Sequence, residues 1–312
     1  MPALNRRGLT MVELLVALVL LSIVSTALYR VLVSNQRIYQ AQTQRIDMQQ
    51  NIRAAATILP SDLRELDASE GDISAASATS VTFRAMRWMG IICAAPATGP
   101  LPAVTNPVLV FTVMNQKLMG ERAPVVGDSV LLRYEGDEGT SADDAWVRGV
   151  ITFMNAQNCP AGLPYNSAAG LQITATASML QVAAPPQLAT PNVTNAIYQG
   201  APVRGFITQI YSLYQPAGDT SWYIGLTRGA NAIQPIVGPV LSNGLRFTFL
   251  NDTNNVVLNP ALANDRVRIG SILFTLRART AQPIRNQTSA AGSANVVDSV
   301  TVRVALRNNR RW

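Results

Sequence analysis

The chain contains no histidine, and among its 312 residues there are only two cysteines and a single lysine, Lys117. Without histidine, the Ser-His-Asp and Cys-His nucleophile arrangements and every histidine-containing zinc site are excluded. Two thiols alone supply too few ligands for a metal. A glycine-rich Walker-type phosphate loop and a dinucleotide fingerprint are also missing, and no Asp/Glu pair in the part of the chain with β-type texture suggests an acid-pair catalytic site. These absences predict a protein that is not an enzyme and carries no cofactor.

What is present begins at residue 6. Arg6 and Arg7 precede Gly8, then come Leu9, Thr10, Met11, Val12 and Glu13, and residues 14–28 form an almost unbroken apolar run. A secretory signal is cut after its apolar core, and the core is discarded. Here the small residue beside the basic leader is Gly8, which lies ahead of the core. Glu13 stands inside the membrane-length segment. A central acid costs roughly 2.5–3.5 kcal/mol on insertion scales, so an intramembrane carboxylate is a functional hypothesis by default.

Residues 6–27 resemble the type IV prepilin signal. The resemblance implies that residues 1–8 are a leader, removed between Gly8 and Leu9 by a prepilin peptidase that also N-methylates Leu9. The helix would then remain in the mature protein. The family most often has Phe as its first mature residue; Leu9 keeps the apolar character of that position. The resemblance further implies that Glu13, fifth after the cut, pairs with the N-terminal ammonium of a neighbouring subunit, giving attraction and axial register in a low-dielectric filament core. The alternative is that Glu13, one helical turn from Leu9, reaches headgroups of membrane lipid at the interface. With Gly8 and Thr10 in place, the filament reading is favoured. Loss of Arg6 and Arg7 takes the formal charge from +7 to +7 − 2 = +5, moderately basic for this size.

The expected fold class is α+β: a long N-terminal α-helix over 9–68, transmembrane over about 9–30, packed on an antiparallel β-sheet with an enlarged β-rich region over 69–312. Met48, Ile52, Ala55, Leu59, Leu63 and Leu66 recur at three- and four-residue steps and form one face for the sheet. Pro60 removes a hydrogen bond and clashes with the preceding turn, which predicts a kink or a restart at Ser61-Asp62. Beyond residue 68, candidate strands fall at 81–88, 108–114, 130–134, 147–153, 171–177, 205–214, 221–228, 245–250, 267–279 and 296–308. Ala/Pro-rich connections occupy 94–107 and 183–202. Residues 216–219, Pro-Ala-Gly-Asp, form a hairpin turn, and 93–202 is a candidate inserted subdomain.

Cys93 and Cys159 are an even pair in a region expected to face the periplasm, which favours a disulfide worth about 4 kcal/mol over two buried thiols. In the C-terminal third, Tyr211 and Tyr214, Trp222-Tyr223, Gly244-Leu245-Arg246-Phe247, Val267-Arg268-Ile269 and Leu306-Arg307-Asn308 follow in an order that resembles PilW-type minor pilins and the related J-type pseudopilins of type II secretion. That resemblance implies a minor pilin in the inner membrane and later in the pilus. Its partners would be other minor and major pilins, the prepilin peptidase and the inner-membrane assembly platform. A pseudopilin, or a filament-tip adhesin or DNA-capture module, is the alternative. Two further patterns carry weaker expectations. The Asx-rich loop of Asn251, Asp252, Asn254 and Asn255 with Asp265 reads as a plain connection rather than a calcium loop, whose acidic alternation and glycine it lacks. Arg303, Arg307, Arg310, Arg311 and Trp312 read as a solvated strand face and a basic tail rather than a nucleic-acid contact.

Overall fold

The structure is a computed structural model and describes residues 10–96, 108–134, 145–162, 167–179, 197–257, 259–284 and 294–306. Helix α1 (Met11–Arg64) contains 54 residues, which at 1.5 Å each makes it about 80 Å long. Its second half is amphipathic, and Met48, Ile52, Ala55, Leu59 and Leu63 are buried along one stripe.

Pro60 does not interrupt the helix, contrary to the expected kink or restart. It lies in the last turns, where few backbone hydrogen bonds remain to be lost, and Leu59, Pro60 and Leu63 are all buried. The Ser61 hydroxyl donates to the Ile58 carbonyl at 2.7 Å, so Ser61 bonds backward within the helix instead of capping a new one. α1 ends at Arg64, short of residue 68. There the Asp67 carboxylate accepts from the backbone N–H groups of Ser69 (3.0 Å) and Glu70 (3.3 Å), an Asx turn that redirects the chain.

Among the described residues twelve strands follow: β1 (Ile73–Ala76), β2 (Ser80–Ala94), β3 (Val108–Met114), β4 (Met119–Gly120), β5 (Ser129–Tyr134), β6 (Ala145–Ala156), β7 (Gly170–Met179), β8 (Pro202–Tyr214), β9 (Trp222–Arg228), β10 (Gln234–Leu250), β11 (Ser271–Arg279) and β12 (Val297–Ala305). Every pairing is antiparallel. The expected strand at 267–279 begins only at Ser271, because a short helix α2 (Ala263–Arg266) and its cap at Val267 precede it. That turn still buries Ile269 completely, so the apolar pattern was a burial signal and not a strand signal. β10 starts at Gln234, well ahead of the expected 245, and it absorbs Pro235, Pro239 and Gly244 through register shifts against both neighbours.

The strands build two bodies. In the first, the buried stripe of α1 covers a sheet face formed by Val81, Phe83, Tyr211, Ile224, Phe247, Ile272, Phe274 and Leu276. The Tyr211 hydroxyl donates to the Asp62 carboxylate at 2.6 Å and pins the helix end to β8. In the second body, six strands close on themselves: β2 pairs β3, β3 pairs β7, β7 pairs β6, β6 pairs β5, β5 pairs β8, and β8 returns to β2. A closed ring leaves no edge. Its interior holds Trp88, Ile92, Phe111, Val130, Leu132, Val147, Ile173 and Val203.

Trp88 explains two neighbouring residues. A Cβ on Gly205, its partner across the β2–β8 ladder, would lie 2.0 Å from the indole nitrogen, so only glycine fits there. The indole N–H donates to the buried Asp128 carboxylate at 3.1 Å. That carboxylate also accepts from Arg122 Nη1 (2.8 Å) and from the Val125 backbone N–H (3.1 Å).

Candidate processing and assembly site

The structural side of this site starts at Thr10. Its hydroxyl accepts from the Glu13 backbone N–H at 3.3 Å, and the Glu13 carboxylate accepts from the Thr10 backbone N–H at 3.5 Å. This reciprocal capping box starts α1 and satisfies two of the orphan donors of a helix N-terminus. The Thr-x-x-Glu spacing is a signature of such a cap, a role beyond the filament contact, or headgroup contact, expected of Glu13. Glu13 therefore has a local partner whatever it meets in a neighbour. Gly8 and Leu9 lie outside the described residues.

Beyond the cap, every large apolar side chain of residues 11–32 is at least half exposed, and none of the most apolar window of α1 is covered by the rest of the chain. The helix is long and apolar enough to cross a bilayer. Two of its hydroxyls bond back to the helix: the Ser22 hydroxyl donates to the Val19 carbonyl at 2.7 Å, and Thr26 donates to the Ser22 carbonyl at 2.8 Å. Such back-bonding suits hydroxyls in a medium without water. Farther along, the apolar side chains turn inward onto the sheet. One helix thus offers an uncovered half and a covered half.

The two cysteines meet as a disulfide, with Cα atoms 5.6 Å apart and 66 positions between them in sequence. The bridge joins the end of β2 to the segment after β6 and packs with Met114 and Ala168. In the Asx-rich loop, the Asn251 side-chain oxygen accepts from the Asn255 backbone N–H (2.8 Å) and from the Thr253 hydroxyl (2.9 Å), so its oxygens close the turn. Arg303 is engaged by Ser271 at 3.2 Å and by Asn254. Arg307, Arg310, Arg311 and Trp312 lie outside the described residues.

A family model described as the prokaryotic N-terminal methylation motif matches residues 4–29. No curated protein and no solved structure matches the chain. The matched segment runs from before Arg6 and Arg7 through the capping box into the exposed half of α1. The chain carries a prepilin-type N-terminal methylation motif, which supports a type IV pilin-like protein.

Proposed function

We propose that the protein is a minor, non-enzymatic subunit of a type IV pilus. α1 would hold it in the inner membrane, with the β-rich head in the periplasm, until it is extracted into a filament. The observation that carries this reading is the methylation motif at residues 4–29 opening directly into a helix whose first half is uncovered. An uncovered apolar half requires either lipid or neighbouring helices, and a filament core supplies the second. The head supports a rare position over a bulk one. A barrel added beside the helix-bearing sheet gives a wide head on a narrow stalk, a shape that suits the start or tip of a stack. A J-type pseudopilin shares the architecture and is the second reading.

The capping box defines a sharp test. Gln at position 13 can keep the reciprocal cap but cannot neutralise an ammonium. Glu13→Gln should insert into membranes as well as wild type or better, while its amount in sheared filaments falls about tenfold, equivalent to about 1.4 kcal/mol. Quantitative mass spectrometry of the membrane and filament fractions reads both effects. Wild-type protein absent from filaments, or Glu13→Gln incorporated at the wild-type level, would contradict the assignment.

A further inference from the structure

The outer face of the barrel carries four arginines over three apolar side chains. Arg84 on β2, Arg133 on β5, Arg148 on β6 and Arg204 on β8 surround Leu131, Trp146 and Phe206, which form a cluster of their own. The Arg204 guanidinium stacks 4.1 Å above the Trp146 ring. Arg84 and Arg148 each sit 5.6 Å from the Phe206 centroid, and Arg133 lies 5.6 Å from that of Trp146.

Two carboxylates from the turn after α1 face this cluster. Glu70 lies 3.7 Å from Arg133 and accepts from the Trp146 indole. Asp72 is 3.8 Å from Arg84 and 4.0 Å from Arg204. Among the described residues, four arginines in this cluster thus face two carboxylates, while the lining of the adjoining groove is balanced, with Arg84, Arg87, Arg204 and Arg228 against Asp62, Glu65, Asp72 and Glu121. Burial lowers the Arg84 pKa; Asp72 opposes that shift, while Arg148 and Arg204 push it further down.

Hydrogen bonding at Arg84, Arg204 and Gln209 is incomplete. Arg84 Nη1, Arg204 Nε and Nη2, and the side-chain oxygen of Gln209 are buried without a hydrogen-bond partner. Side-chain exposure is only 10% for Arg84 and 19% for Arg204, and Gln209 is 2% exposed. Leaving such groups unmatched is costly. Nε and Nη2 form one edge of a guanidinium, the edge that meets two oxygens of a carboxylate or phosphate side by side. Trp146 fixes the plane of Arg204, and Asp72 occupies its opposite side near Nη1. Arg84, Arg204 and Gln209 all line one groove of about 830 Å³ between the barrel and the end of α1, within the size range of small-molecule sites.

We propose that this groove is a binding site for a small oxyanion, carboxylate or phosphate. The Nε–Nη2 edge of Arg204 and Nη1 of Arg84 grip its oxygens, and Gln209 accepts a hydrogen bond from a donor on the same ligand. Because these atoms are buried in the unliganded groove, binding requires the two long side chains to rotate toward its floor. A lipid headgroup is an unsuitable source, because Ser61 at the groove's edge lies about 45 Å along α1 from Arg30. The site is independent of the pilus reading.

The test uses the full-length protein in detergent micelles, titrated with inorganic phosphate or citrate against sodium chloride at equal ionic strength. Thermal melting and tryptophan fluorescence are recorded. At least one of the two oxyanions should give a saturable response that chloride does not, and its identity distinguishes phosphate from carboxylate chemistry. Arg204→Lys keeps the charge but loses the fork, and should weaken binding about tenfold. Arg84→Lys should weaken it as well. Arg246→Met, exposed on β10 and outside the groove lining, should bind within about twofold of wild type. No saturable response to either oxyanion, or equal affinity in Arg204→Lys and wild type, would overturn the proposal and leave the arginines as a structural clamp. Should Arg204→Lys fail to fold, the wild-type titration and Arg84→Lys decide alone.

Discussion

At the scale of single residues, two carboxylates of the head respond oppositely to their surroundings. Asp72 is pushed up, chiefly by burial, despite Arg204 and Arg84 beside it. Burial also pushes Asp128 up, but the hydrogen bonds from Arg122, the Val125 N–H and Trp88 outweigh it and hold the carboxyl below its usual value. A depressed folded-state pKa contributes stability above the unfolded value, near ~3.9 for Asp, and that contribution is lost as pH falls through the folded value. Asp128→Asn should therefore destabilise the head by about 1.5–3 kcal/mol at neutral pH, the range for hydrogen bonds to a charged group. The gap from wild type should shrink at pH values below the usual carboxylate range. Denaturant melts at neutral and strongly acidic pH check this, and a gap independent of pH would refute the role given to the ionised carboxylate. None of this was legible in advance. Asp128, Trp88 and Gly205 are far apart in sequence, and an isolated Asp or Gly carries no signal of the indole that it serves. The Thr10–Glu13 cap spans only three residues and so has a local sequence signature, but the expectation for these residues was filament assembly and did not include it.

At the scale of elements, local periodicity was a good guide where one face of an element is buried. The stripe from Met48 to Leu63 is such a case, whereas the runs at 108–114 and 130–134 were marked by apolar β-type composition and are buried on both faces. It failed where the signal was burial without a period, as at Ile269, and where proline and glycine disguised a long bulged strand, as in β10. The disulfide belongs to this scale too, since it clamps the end of β2 against the segment after β6. Closing so long a loop should stabilise the head by at most about 4 kcal/mol. Reduction of the full-length protein in detergent should lower its melting temperature, and thiol titration of the denatured, unreduced protein should find no free thiol. Two free thiols in that titration would contradict the bridge.

At the scale of the molecule, a helix-covered sheet and a closed barrel share β2 and β8. Each of these long strands serves one body with one half and the other body with the other half. The closure of the barrel was not legible, because the β2–β8 pairing joins segments more than a hundred residues apart with β3, β5, β6 and β7 between them. Sequence patterns report which face of a strand is buried, not which strand lies beside it. The N-terminus was legible for the converse reason, because leader, small residue, acid and apolar run are contiguous and act locally.

That contiguous signal underlies the central claim, that the chain is a prepilin-type subunit whose helix is retained after processing. Intact-mass analysis of the protein from cells with an active prepilin peptidase tests it most directly. The account predicts loss of residues 1–8 and one added methyl group on the Leu9 amine, with Gly8→Leu blocking both. Mature protein that keeps its leader, or that is cut after the apolar run and so loses α1's first half, would contradict it.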